Sequence, residues 1–472
     1  MKKSVFLNAK FAINVLGILI IGLLVGCQKD LVQTETLDDS GSAALKSAKS
    51  TNFMVISKSE TLPDGLVDEL AKYGEIVNSI PEIGVVVVKP TASNFEKKVS
   101  RISTVRSVVP DLQLKWLEPG NVFPMDNPPS IGDDETYFAL QWGMDAINAP
   151  EAWNAGVTGE GARVFILDSG IDAEHPDLAP NLNTSLCASF VPGEDWNIQP
   201  GSYFNHGTHV AGIVAAADNS FGVIGVAPKA EIVAVKVLSE LTGSGAFSWI
   251  NEGIVYAANQ GADVINMSLG TFLNKNGFVY DEEGNLVGRY SPVEIQELKH
   301  AVQRAIDYAY RSGVTIVVSG GNDYMNADGN GSGLLFLADL NNVIAVSATA
   351  PEGFYYDPAT NLDVIASYSN TGRSLIDVAA PGGDFDLYPD PAYVRDMVLS
   401  TSSESFYFAA GTSMAAPHVA GVAALIIAKN GGEMAPIEVT KQLLKTADKL
   451  EGNGASALYG KGRVNAYRAV TE

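Results

Sequence analysis

Three short motifs supply an acid, a histidine and a serine, in that order along the chain. Asp168 directly follows the apolar run 164–167, so it is predicted to lie at the carboxyl end of a buried strand. His206 opens the segment HGTHVAG, and Ser413 stands in GTSMAAPHVAG at the start of an apolar helix. This is one of the known chain orders of a Ser-His-Asp triad. The motifs therefore favour acyl-transfer chemistry, with Ser413 as nucleophile, His206 as base and Asp168 orienting the imidazole.

Each motif taken singly has a plainer interpretation. An aspartate before Ser-Gly is most often a turn or cap residue, and a serine that opens a helix is most often an N-cap. His206 and His209 raise the question of a metal site, but the glutamate that zinc proteases carry between their two histidines is missing. It is the three motifs together that favour the hydrolytic interpretation.

The elements that must position these residues are β-branched runs that alternate with helical patterns between 136 and 472. Such alternation predicts an α/β fold, a parallel sheet with helices on both faces, whose chemistry lies at the carboxyl ends of the strands. The expected strands are 163–167, 231–237, 263–266, 314–318 and 343–346, and the expected helices are 246–260, 292–312, 414–430 and 435–447.

The region 136–472 resembles the subtilases, the subtilisin-like serine peptidases, through HGTHVAG and GTSMAAPHVAG. The resemblance implies a subtilisin-like catalytic domain that hydrolyses peptide bonds in proteins or peptides through an acyl-enzyme intermediate. Two alternatives stay open. One is a catalytically inactive subtilase-like surface binding protein, and the other is the acid-active sedolisin group, which uses a glutamate in place of the histidine.

The resemblance also implies roles for residues around the triad. Asn322 matches the position of the asparagine that, with the Ser413 backbone N–H, stabilises the oxyanion of the tetrahedral intermediate. The walls of the primary specificity pocket are expected from Ser268, Leu269 and Gly270 on one side and from Ser319, Gly320 and Gly321 on the other. The first wall is also expected to pair with extended substrate as an added strand.

A structural Ca²⁺ ion is implied by residues 217–223, which match the family's calcium loop in register from His206. The glutamine that serves as a ligand in the family has no counterpart here, since Phe138 falls at its position. The remaining implied ligands are the side chains of Asp177 and Asn219 and the backbone carbonyls of Ala217, Phe221 and Val223, all oxygen donors that suit Ca²⁺.

Residues 51–117 read as a small ferredoxin-like α+β domain. The predicted elements are strand 52–58, helix 64–73, strands 75–80 and 85–89, helix 93–102 and strand 105–114, in the split β-α-β-β-α-β order. Next to a subtilase, this segment resembles an inhibitor-like propeptide, which makes the chain a zymogen and the propeptide an intramolecular partner. The proline-rich, acidic stretch 118–135 is expected to be an exposed linker that is cut.

Residues 1–27 read as an export signal. A basic start precedes an apolar run that is too short for a membrane span and ends at Cys27, which resembles the lipobox of bacterial lipoproteins. This implies lipidation at Cys27, a tether over 28–50, and a lipid-anchored protein of the cell envelope, at the outer membrane or cell surface. Cys187 would then be the one remaining thiol, so no intramolecular disulfide is expected.

The chain of 472 residues has a formal net charge of −23, which argues against nucleic acid as a partner. Three segments depart from the family pattern, namely 179–205, 271–290 and 384–405. They are expected to rim the cleft and to shape its specificity, so substrate preference cannot be carried over from relatives.

Overall fold

A mostly parallel sheet of eight strands forms the centre of the larger domain. The computed structural model describes residues 52–115, 134–199, 202, 205–280, 286–328, 331, 333–403, 405–452 and 454–472, which belong to one compact unit. The strands of this sheet are β6 (Arg163–Asp168), β7 (Ala188–Ser189), β8 (Glu231–Lys236), β10 (Val264–Met267), β14 (Thr315–Ser319), β16 (Ile344–Ala350), β17 (Val364–Ile365) and β18 (Val378–Pro381). The strand order is β17-β16-β14-β10-β6-β8-β7, with β18 beside β16, and the exception to parallel pairing is β17.

Helices cover both faces of this sheet, because alternate residues of its strands are apolar on each side. In β6, Val164 and Ile166 belong to the core around α5 (His206–Ala215) and α8 (Thr412–Lys429). Phe165 and Leu167 belong to the core around α6 (Phe247–Asn259) and α7 (Pro292–Arg311). The predicted parallel α/β architecture is confirmed. The helices of this domain are α3 (Trp142–Ala146), α4 (Ala149–Asn154), α5 (His206–Ala215), α6 (Phe247–Asn259), α7 (Pro292–Arg311), α8 (Thr412–Lys429), α9 (Pro436–Thr446) and α10 (Ala466–Thr471).

The helix α8 runs through the core. Among the described residues it is the one helix long and apolar enough to cross a membrane, but 83% of that window is buried inside the protein. Burial of this extent is typical of a central core helix. Pro417 is the sixth residue of this helix, so it cannot donate an N–H to the Ser413 carbonyl, and that carbonyl instead accepts from the Ser268 hydroxyl at 2.7 Å.

The N-terminal domain is a four-stranded antiparallel sheet in the order β2-β3-β1-β4, as the split β-α-β-β-α-β pattern predicts. In β1, Phe53 and Val55 face the domain's own helices, whereas Met54 and Ile56 join the core of the larger domain around α6 and α7. The sheet is therefore buried on both faces. Its elements are β1 (Phe53–Ser57), α1 (Leu66–Leu70), β2 (Gly74–Ile80), β3 (Val85–Pro90), α2 (Phe95–Val99) and β4 (Val105–Pro110).

The predicted strand over 105–114 is wrong in its second half. The strand β4 ends at Pro110, which has no N–H to continue the ladder. The chain then leaves the sheet, and β5 (Gln113–Lys115) pairs antiparallel with β9 (Ser244–Ala246) of the larger domain.

Short antiparallel pairs fill the insertions. The segment 271–290 contains β11 (Thr271–Asn274), which pairs with β15 (Gly333–Phe336), and the hairpin of β12 (Phe278–Tyr280) with β13 (Leu286–Arg289). The segment 384–405 contributes most of the hairpin of β19 (Val398–Ser402) and β20 (Ser405–Ala409). The expected signal 1–27 with Cys27, the tether 28–50 and the linker up to 133 lie outside the described residues.

Candidate active site

Asp168 and His206 meet at the carboxyl edge of the central sheet. Asp168 is the last residue of β6 and is 1% exposed, and His206 is the first residue of α5. The His206 Nδ1 atom lies 2.9 Å from each carboxylate oxygen of Asp168. The helix can approach this closely because Gly207 has no side chain, since a Cβ there would lie 2.3 Å from the Gly170 carbonyl oxygen. The pair fixes the imidazole with Nδ1 toward the acid, which leaves Nε2 for proton transfer.

Ser413 lies in the first turn of α8 beside the end of β10. Its hydroxyl donates to the Ser268 carbonyl oxygen at 3.2 Å, and the Ser268 hydroxyl donates back to the Ser413 carbonyl at 2.7 Å. These reciprocal bonds hold the serine against the expected pocket wall. The backbone N–H groups at the start of α8 favour negative charge that develops nearby.

Asn322 follows β14 and faces the same helix start. Its side-chain oxygen accepts from the Thr412 backbone N–H at 2.9 Å and from the Thr412 hydroxyl at 2.8 Å. Both bonds go to the oxygen, so the amide nitrogen points away from Thr412. The position of a Cβ on Gly411 would lie 3.5 Å from that nitrogen and 3.6 Å from the Ser413 nitrogen. Both nitrogens therefore lie within 3.6 Å of one point beside Gly411, which a side chain at Gly411 would occupy.

The two expected pocket walls lie side by side because β10 and β14 are parallel neighbours. The hydroxyl of Ser319 donates to the Leu269 carbonyl at 3.2 Å and ties the walls together. Gly320 N–H donates to the Val346 carbonyl, and Gly321 adopts a φ of +97°, which favours glycine. Gly270 sits where a Cβ would come 3.4 Å from the Phe336 carbonyl.

The edge strand β9 was not singled out from the sequence. It pairs with Gln113–Lys115 in the register Gln113 to Ala246, Leu114 to Gly245 and Lys115 to Ser244. The Leu114 side chain packs on the core that contains Leu269 and Phe247. The run Gly243-Ser244-Gly245 was the available signal, because small residues allow another backbone to approach an edge.

The expected calcium ligands come together around one buried carboxylate. Asp177 is fully buried, and burial raises its pKa to about 7, although hydrogen bonds from Val223 N–H at 2.9 Å and from the Asn219 amide at 3.3 Å act in the opposite direction. Gly222 closes the loop over this group, since a Cβ there would lie 2.2 Å from the carboxylate. Both of these partners are N–H donors, and they place the buried acid against the loop that carries the expected carbonyl ligands. A buried carboxylate beside such a loop is compatible with a Ca²⁺ ion.

Phe138 supplies no ligand there, since its ring is buried in the core. Glu135, however, is fully buried instead of lying in an exposed linker, and one of its oxygens accepts from the N–H groups of Asn219 at 2.9 Å and Ser220 at 3.1 Å. The sequence read this glutamate as part of a solvated acidic run. Asp134, Glu135 and Asp218 bring carboxylate oxygens within 4.8 Å of one another.

Neither His209 nor Cys187 belongs to the site. His209 is fully buried, its ring packs on Tyr407, and burial lowers its pKa to about 3, which describes a neutral core histidine. Burial also raises the pKa of the Cys187 thiol to about 11, so this cysteine is unreactive in the folded chain.

Comparison with known proteins gives the family to which the chain belongs. The model of the subtilase family matches residues 159–462. The thermophilic serine proteinase of Bacillus sp. strain AK1 is 32% identical over 405 residues, 84% of each chain, and subtilisin of Bacillus pumilus is 38% identical over 333 residues, 70% of this chain and 99% of its own.

The crystal structure of the epidermin leader peptide processing serine protease of Staphylococcus aureus has a similar fold. The TM-score is 0.70 at 23% identity, with 89% of this chain and 97% of that one covered. The family match and the identities of the curated relatives show that the chain belongs to the subtilase family, the subtilisin-like serine peptidases.

Proposed function

We propose that this serine endopeptidase cleaves protein or peptide substrates with Asp168, His206 and Ser413 as its triad. The observation that carries the proposal is the 2.9 Å contact of His206 with Asp168. The helix α5, which begins at His206, packs on α8, which carries Ser413 in its first turn. An inactive binding protein would not need these groups to be kept together.

The proposed steps are those of acyl transfer by a serine triad. His206 Nε2 takes the Ser413 proton as the hydroxyl attacks the scissile carbonyl carbon, and Asp168 stabilises the imidazolium. The carbonyl oxygen becomes an oxyanion that the Asn322 amide and the Ser413 N–H stabilise. His206 then protonates the leaving amine, which leaves an ester on Ser413, and water attacks this ester by the same route.

Labelling with a fluorophosphonate probe tests the proposal. We expect the wild type to be labelled and Ser413→Ala to remain unlabelled, because the probe reacts with an activated serine hydroxyl. Ser312→Ala, which removes an exposed hydroxyl at the end of α7, is the control and should label normally. Equal labelling of Ser413→Ala would sink the assignment.

We infer that an extended substrate lies between β9 and the wall Ser268–Gly270, as residues Gln113–Lys115 lie along β9. The N-terminal domain would then inhibit by holding its own chain in the cleft.

The apolar face of the N-terminal domain supports this inhibitory role, and so do the contacts that arginines make between this domain and α7. Arg106 forms a bidentate pair with Glu297, and Arg304 donates to the carbonyls of Ser57, Ser59 and Ile83.

The affinity of this domain for the catalytic domain is expected to fall with rising pH. Asp111 follows β4, is buried at the interface, and accepts from the Ser248 N–H and hydroxyl of α6. Burial raises the pKa of Asp111 to about 6, and burial together with the Asp111 charge raises that of Glu252 to about 7. Separation returns both groups to solvent and to lower pKa values. The complex therefore holds more protons, and it weakens as pH rises toward 7.

Between pH 5 and pH 8 the inhibition constant should rise on the order of 100-fold. The measurement is inhibition of the mature unit by the separately prepared N-terminal domain at several pH values. Asp111→Asn and Glu252→Gln keep the shapes and should flatten the profile, whereas Glu60→Gln, an exposed acid of the same domain, should leave it steep. An inhibition constant that stays level across this range would contradict the prediction.

We also propose a structural Ca²⁺ ion at Asp177. Without the ion, the raised pKa of Asp177 makes the stability of the fold decrease as pH rises through about 7, because the folded chain must then bury a bare carboxylate.

A bound Ca²⁺ ion would compensate that charge. The gain in Tm from calcium over chelator should therefore be larger at pH 8 than at pH 5. Asp177→Asn should remove most of the gain. An equal gain at both pH values would count against the site.

Export and attachment to the cell envelope through a lipid on Cys27 are part of the same proposal. The basic start, the short apolar run and the terminal cysteine support it. The net charge of −23 is consistent with a protein that is exported from the cytosol.

A further inference from the structure

The turn between β8 and β9 is held by a buried cluster of three charged side chains. Lys236 Nζ lies 2.9 Å from a Glu240 oxygen and 3.0 Å from a Glu194 oxygen. The Lys236 side chain is fully buried, and those of Glu240 and Glu194 are 4% and 14% exposed. A buried ammonium needs such partners, so the three residues form one unit.

Glu194 does more than neutralise the lysine. Its carboxylate accepts from the Ser239 hydroxyl at 2.6 Å and from the Glu240 backbone N–H at 2.9 Å, and both donors belong to the turn. Ser239 in turn donates its N–H to the Ser244 carbonyl at 2.8 Å, where β9 begins. The position of the Glu194 carboxylate therefore sets where β9 starts.

Glu194 belongs to the insertion 179–205, which also contacts the turn at two further points. The second Glu240 oxygen accepts from the Gln199 N–H at 2.9 Å, and the Ser202 hydroxyl donates to the Glu240 carbonyl at 3.3 Å. The opposite end of the cluster is tied to the triad strand, because Lys236 is the register partner of Asp168. The cluster thus joins the insertion, the triad strand and the edge strand.

We propose that Glu194, with Lys236 and Glu240, is a positioning residue that fixes β9 for pairing with the substrate residues upstream of the scissile bond. By this route the insertion contributes to substrate recognition without contacting the substrate. The inference rests on the proposed function, in which β9 carries extended substrate.

A shift of β9 should lower activity on long peptides more than activity on short ones. A peptide long enough to lie along β9 gains backbone hydrogen bonds from it, whereas a shorter one ends before reaching it. If the start of β9 shifts, those bonds are misaligned and the binding energy of the long peptide falls, while the triad and the donors at Asn322 and Ser413 are unchanged.

The test uses two peptide anilides that have the same residue directly before the scissile bond. One carries two residues and the other carries four. Glu194→Gln should reduce the gain in kcat/KM from two to four residues by about tenfold, mainly through KM, with the two-residue substrate within about twofold of wild type. Active enzyme is counted with a fluorophosphonate. Asp195→Asn, a neighbouring exposed acid whose carboxylate accepts from the Asn197 N–H, is the charge-matched control and should keep the gain.

Ser239→Ala is a second, milder variant, because it removes the 2.6 Å bond to Glu194 and leaves the ion cluster in place. It should show the same selective loss to a smaller extent. Variants that keep the full gain, or lose activity equally on both substrates, overturn the inference. A wild type without any gain from the longer peptide would instead overturn the placement of substrate on β9.

Discussion

The Ser413→Ala chain is expected to remain one uncut polypeptide and to lose peptidase activity by about 10⁴- to 10⁶-fold. The serine, histidine and aspartate of a triad act as one unit. Removal of the serine therefore removes almost all of the rate acceleration that the triad provides. The reciprocal bonds between Ser413 and Ser268 include one that uses only the Ser413 carbonyl, which alanine retains. The loss should therefore be chemical and should leave the fold in place.

Intact mass and amino-terminal sequencing of purified 28–472, wild type beside Ser413→Ala, measure the first part. We expect wild type to be cut within 115–136 and the variant to stay whole. An uncut wild type would leave an inactive homologue or a chain that another protease must activate. A trace of trypsin followed by a fluorophosphonate separates these, since only the second would then be labelled.

The second large effect is expected from Asn322→Ala, which should lower kcat by about 100- to 1,000-fold with little change in KM. The amide nitrogen has its main role once charge develops on the substrate oxygen, so the ground-state complex loses little. Thr412→Val should cause a smaller loss of the same kind, because it removes the hydroxyl that donates to the Asn322 oxygen at 2.8 Å and leaves the amide in place.

Steady-state kinetics on one anilide substrate checks both variants against Asn341→Ala, an asparagine near the carboxyl side of α7 that lies outside the site. A rise in KM at constant kcat in Asn322→Ala would mean that the amide binds substrate in the ground state. The oxyanion role would then be lost, while the triad assignment would stand.

Much of the fold could be predicted because its signals are local. Alternating β-branched runs and helical patterns predicted β6 and α7, and the carboxyl edge of the sheet brought Asp168 beside His206. Glu135 and β9 were missed because their importance depends on distant neighbours. Glu135 meets the loop at Asn219, and β9 meets Gln113–Lys115, and neither contact leaves a periodic trace in the sequence.

The end of β4 at Pro110 could be predicted from the sequence only in part. The proline was visible, but whether the chain resumes in the same sheet or crosses to another depends on the partner edge that is available. The insertions are similar, since their lengths are plain in the sequence while the attachment of Glu194 to Ser239 is a tertiary contact.

Ser413, the proposed nucleophile, lies in the first turn of α8, which runs through the centre of the core. Displacing Ser413 would therefore shift residues packed against this buried helix, and a close-packed interior resists such changes. Changes within the segments 179–205 and 271–290 leave that helix in place. We accordingly expect relatives with different substrate preferences to differ mainly in these segments. A new preference should be reached by exchanging the segments while the central helix is kept.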